Sequence, residues 1–83
     1  MVDLAHIAHR ASEFVEGIQV EETRDRLDGL GKEVIYLYRG YGNATQLSPK
    51  ELQHNDDQRL IEYLVAQFKA FKTEIDLAIS QSV

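Results

Sequence analysis

Apolar side chains recur with helical spacing along the first part of the chain, at Leu4, Ile7, Ala8, Ala11, Phe14, Val15 and Ile18. At about 100° per residue they fall within roughly 120° of arc, which predicts an amphipathic helix over 3–17. Asp3 stands where an N-cap belongs, and Gly17 tolerates the left-handed conformation that ends a helix. The stripe then changes phase. Val20, Leu27, Leu30, Val34, Leu37 and Tyr41 restart it with heptad-like spacing, predicting a second helix over 20–41 that Gly40, Gly42 and Asn43 end. Gly29 and Gly31 fall inside that helix and mark a kink or a close approach.

The next signal is local and strong. Ser48-Pro49-Lys50-Glu51 combines a serine N-cap, a proline at the first helical position and a glutamate at the third. Leu47 and Leu52 add the spacing of a hydrophobic staple, so a short helix is expected over 48–54. Asn55 and Gln58 offer a second capping box ahead of a long helix over 56–81. That helix is apolar on two sides. Leu60, Ile61, Leu64, Val65, Phe68, Phe71, Ile75, Ala78 and Ile79 form a broad stripe, and Tyr63, Ala66, Ala70 and Leu77 a narrower one nearly opposite.

At a rise of 1.5 Å per residue the last helix is about 39 Å long, against about 22 Å for the first and roughly 27 to 30 Å for the second, whose start falls at residue 20 or 23. Shorter neighbours leave part of it bare, and bare apolar surface of that kind marks an interface. The expected architecture is all-α: one domain over 1–83, a small antiparallel bundle of three long helices plus a short capping helix. It is expected to dimerise through Phe68, Phe71, Ile75 and Ile79 of the last helix.

Composition narrows the chemistry. Fourteen acids against nine bases give a net charge of −5, which disfavours a nucleic-acid backbone or an anionic membrane as partner. There are no cysteines, which removes disulfides, thiolate metal sites and cysteine nucleophiles together. The start, Met1-Val2-Asp3-Leu4, lacks the basic region of a signal peptide, and no apolar run is long enough to span a bilayer, so a cytoplasmic location without membrane insertion is expected. The glycines at Gly29 and Gly31 before Lys32 do not make a phosphate loop, because Arg26 stands where its first glycine belongs and Glu33 where its serine or threonine belongs.

Three groups of residues carry candidate chemistry. His6, His9 and Glu13 share one face of the first helix at a spacing that can ligate zinc or iron, although they face away from the core where bundle metal sites are built. Tyr36, Tyr38, Arg39 and Tyr41 crowd one helix end. Tyr38 and Tyr41 belong to the core stripe, while Tyr36 and Arg39 lie off it, and tyrosine and arginine are the residues of binding hot spots. Tyr36, Arg39 and Tyr41 are therefore the candidate recognition tip. Glu13, Glu16, Glu21, Glu22, Asp25 and Asp28 form an acidic run. Residues 1–30 hold seven acids and three bases, −4 of the total charge, and Glu21, Glu22 and Asp25 are the candidate docking surface for a basic protein.

No set of residues supplies a matched nucleophile, base and oxyanion donor, so no enzyme and no cofactor are expected. The expected role is a non-catalytic protein–protein interaction module, a small acidic helical adaptor or regulator that is homodimeric through its last helix. One alternative is an immunity, antitoxin or inhibitor-type protein that neutralises a basic target. The junction from Leu47-Ser48 into Leu60 to Leu64 resembles that of helical bacteriocin immunity proteins, over that junction alone and without a diagnostic motif. A second alternative is a metal-binding bundle using His6, His9 and Glu13.

Overall fold

A computed structural model describes residues 3–27 and 29–81. Its elements run α1 (Leu4–Ser12), β1 (Ile18–Asp25), β2 (Lys32–Tyr38), β3 (Tyr41–Leu47), α2 (Pro49–His54) and α3 (Asp57–Gln81). The fold is α+β, and the all-α bundle expected from periodicity is corrected at its second helix. Residues 18–47 form a three-stranded antiparallel sheet in the order β1-β2-β3.

The physical reason lies in residues 34–38. Val34-Ile35-Tyr36-Leu37-Tyr38 is a continuous apolar run, and such a run satisfies helical spacing and strand alternation equally well. Its β-branched and aromatic side chains favour a pleated surface. Alternation then sorts them: Val34, Tyr36 and Tyr38 are buried toward the helices, and Ile35 and Leu37 are half-buried on the other face. The glycines expected within or after a helix are turn residues instead. Arg39 and Gly40 both have positive φ, 52° and 84°, and join Tyr38 to Tyr41 in a two-residue turn of type I′. Gly31 closes the β1–β2 loop, where a Cβ would lie 2.1 Å from the Leu47 carbonyl oxygen.

β1 pairs with β2 from Ile18↔Tyr38 to Asp25↔Lys32, with a register shift between Val20 and Glu22 that leaves Glu21 as a bulge. β3 pairs with β2 without a shift, from Tyr41↔Tyr38 to Leu47↔Lys32. The Tyr36 hydroxyl pins that register: it lies 3.0 Å from Thr45 Oγ1 and accepts from Asn43 Nδ2 at 3.0 Å.

α1 packs on β1 and α3, while α3 lies across β2 and β3. The core between helices and sheet holds Leu4, Ile7, Ala8, Ala11, Val15, Ile18, Val34, Tyr36, Leu47, Leu60, Leu64 and Phe68. The first helix is shorter than its stripe, ending at Ser12, and residues 13–17 continue as turns that bury Val15 and leave Phe14 exposed. Its N-cap is as expected, with the Asp3 carboxylate accepting from the His6 N–H. The capping box of α2 is complete: the Glu51 N–H donates to Ser48 Oγ, and the Ser48 N–H donates to Glu51 Oε1. At α3 the cap is Asp56, which accepts from the Arg59 N–H at 2.9 Å, so the expected Asn55–Gln58 box is not the device used.

Candidate functional site

α3 holds 25 residues and is about 37 Å long, whereas a seven-residue strand spans about 23 Å. One side of it is buried throughout the sheet's length. Leu60, Leu64 and Phe68 are 1% exposed or less and Phe71 is 8% exposed. The Tyr36 ring meets Phe68 edge-on at 4.6 Å between centroids and Phe71 at 5.6 Å. Phe68 and Phe71, expected in a seam between copies, are thus core residues of the single chain, because the sheet covers the face that a bundle would have left open. Ile75 and Ile79 lie further along and are half-buried; with Tyr41 and Ala78 they line a shallow groove.

The narrower stripe of α3 is on the surface. Tyr63, Ala66, Ala70 and Leu77 are all exposed, Leu77 at 56%. Ile61 and Val65 line a groove with Phe14, so that flank of α3 looks toward the α1 end of the layer. At about 100° per residue Tyr63 and Ala70 fall on the other flank, the one above β3. Burial pushes the Tyr63 phenol up from its ordinary value, with the Glu51 charge adding to the effect.

At the β2–β3 turn the expected recognition tip divides. Tyr36 is 1% exposed and is a core residue, since strand alternation turns it inward, whereas helical phase had set it outside. Tyr41 is 52% exposed, the reverse of its expected place in the core stripe. Tyr38 is buried at 7% exposure, and its hydroxyl donates to Asp76 Oδ1 at 2.7 Å. Arg39 reaches the same carboxylate at 3.3 Å. The bond to Asp76, then burial, then the carboxylate charge hold the Tyr38 phenol above its usual value. Asp76 was not among the sequence candidates, and no local spacing could have found it: its partners stand 37 and 38 residues away.

The acidic run lies mostly along the outer edge strand. Glu21, Glu22 and Asp25 are exposed on β1, Glu21 at the bulge. Two of the three are already partnered. Glu22 and Glu33 both bind Arg24, and Asp25 binds Lys32 at 2.7 Å. The bond to Glu33 and its charge raise the affinity of the Arg24 guanidinium for its proton. Asp28 lies outside the described residues. His6 and His9 are exposed on α1, and Glu13 is exposed just past its end. Among the described residues no group of three or more histidines, cysteines or carboxylates is placed to hold a metal ion. Among them, too, no helix is long and apolar enough to cross a membrane.

Comparison of the chain with protein-family models, curated proteins and solved structures finds no match. The surfaces are therefore read from their chemistry alone.

Proposed function

We propose that this chain is a non-catalytic protein–protein interaction module that acts as a homodimer and offers its acidic β1 edge to a basic protein. The observation that carries this reading is the exposed apolar stripe of α3. A helix that already buries Leu60, Leu64 and Phe68 against a sheet also shows Tyr63, Ala66, Ala70 and Leu77 to solvent. Helices of single-layer domains carry charged and polar residues there, and a two-sided apolar helix serves two contacts. Glu21, Glu22 and Asp25 then lie on a different edge of the molecule; Glu21, with Glu22 and Asp25 in their exposed ion pairs beside it, gives that edge its acidic character toward a basic partner.

Molar mass by sedimentation across a dilution series tests the homodimer. A chain of 9.5 kDa should give about twice that mass at high concentration and dissociate on dilution. Leu77→Asp should shift the equilibrium to monomer with an unchanged circular dichroism spectrum. A parent chain that stays monomeric at millimolar concentration refutes self-association.

A further inference from the structure

We infer that β3 is the seam: a second copy of this chain adds antiparallel to its free edge, making one six-stranded sheet with the two α3 helices side by side above it. This deepens the homodimer reading and rests on it.

The two edges of the sheet are not alike. β1 is bulged at Glu21 and carries Glu22, Arg24 and Asp25, features that keep other strands from pairing with an edge. β3 has neither device. Its seven residues, Tyr-Gly-Asn-Ala-Thr-Gln-Leu, hold no charge, no proline and no bulge. α2 does not shield it, since Pro49 and Leu52 turn back to line a groove with Asp25, Gly31 and Lys32.

The free backbone groups are at known positions. Tyr38 pairs with Tyr41 across a two-residue turn, so Tyr41, Asn43, Thr45 and Leu47 direct their N–H and C=O groups to β2. Gly42, Ala44 and Gln46 direct theirs outward, and none of the three makes a backbone bond beyond the β2 ladder. A two-fold axis at Ala44 pairs all of them at once. Ala44 then faces Ala44 of the copy, and Gly42 faces Gln46 of the copy. On the inner face the same axis sets Asn43 opposite Thr45 and Tyr41 opposite Leu47; Thr45 and Leu47 are buried in their own chain, so the exposed Tyr41 and Asn43 flank the seam rather than pair across it. Two chains of net charge −5 need an uncharged seam to approach, and β3 is one.

The helix layer closes with the same operation. α3 lies across β2 and β3, so the two helices of such a pair stand about two strand spacings apart, roughly 10 Å, the distance at which helices pack. Its β3-side flank carries the small Ala70 at the centre, with Gln67 and Glu74 one turn to either side of it. Ala44 pairs with Ile35, next to Tyr36, whose ring touches Phe68 and Phe71; that turn of α3 also carries Ala70. The centre of the strand seam and the centre of the exposed stripe therefore stand at one level. About Ala70 as centre, Tyr63 of one helix meets Leu77 of the other, each seven residues away. A strand edge alone would accept any extended peptide; the matched stripe selects a second copy.

Ala44 is exposed and its N–H points outward, so Ala44→Pro removes a seam donor and leaves the β2 ladder whole. Ala44→Lys sets two like charges on the axis instead. Both variants should keep the parent's circular dichroism spectrum while the dimer dissociation constant rises at least 100-fold. In the parent, amide exchange at Gly42, Ala44 and Gln46 should slow by at least tenfold between micromolar and millimolar protein. A dimer that both variants leave intact, with those three amides exchanging at one rate whatever the protein concentration, overturns the seam and leaves the homodimer standing. A parent that never dimerises overturns both.

Discussion

Phe71→Ala tests whether α3 buries this ring in its own chain. The side chain is 8% exposed and meets the Tyr36 ring edge-on at 5.6 Å. Removing a buried phenylalanine costs about 3–5 kcal/mol, including the transfer term, the cavity and the lost ring pair. The lower end applies, because Phe71 is near the rim of the core and water reaches part of the space it leaves. Unfolding entropy of about 2.1 cal/mol/K per residue over 83 residues is about 170 cal/mol/K, so 3 kcal/mol lowers Tm by roughly 17 °C. Urea titration followed by circular dichroism, run at about 2 μM and about 200 μM protein, reads both the cost and its concentration dependence. The gap between variant and parent should be the same at both concentrations. A gap that widens on dilution by more than about 0.5 kcal/mol would place Phe71 in a contact between copies and refute the core assignment.

Three further perturbations probe other elements. Arg39 holds φ at 52°, a conformation that asparagine adopts more readily, so Arg39→Asn should stabilise by about 0.5–1 kcal/mol less the weak exposed pair with Asp76; a lower Tm would mean that the pair outweighs the strain. Ser48→Ala removes the α2 cap and should cost about 1 kcal/mol by denaturant titration, and no loss would show that Pro49 alone holds the helix start. The Tyr38 phenol is raised above its ordinary value near 10, so the folded chain holds this proton more tightly than the unfolded one. That stability is complete below pH 10 and is lost as pH rises through the folded value. Asp76→Asn should therefore flatten the alkaline fall in Tm, and phenolate absorbance should show one tyrosine titrating earlier than in the parent.

Several elements were legible in the chain because their information is local. The Ser48–Glu51 capping box and Pro49 act within one turn, and α2 begins where they require. Leu60, Leu64 and Phe68 mark the buried side of α3 by spacing alone, and Asp3 caps α1. Where information was not local, periodicity misled. Val34–Tyr38 fits two periods, and the choice between them came from what lies opposite: Ile18 and Val20 on one side, Asn43 and Thr45 on the other, all brought near by the connection from β1 to β2 and the turn at Arg39-Gly40. That choice reversed Tyr36 and Tyr41, turning the first into the core and the second to solvent.

What this sequence determined by itself was where α1, α2 and α3 begin, the buried stripe of α3, the acidic balance and the absence of cysteine chemistry. Each depends on neighbours within about four residues or on a plain sum of charges. Only the tertiary structure decided that residues 18–47 are a sheet, that Asp76 holds Tyr38 and Arg39, and that β3 is an uncharged edge below an exposed apolar flank of α3. Strand pairing joins backbone groups far apart in sequence, so a residue's face is set by a partner strand that no window along the chain contains.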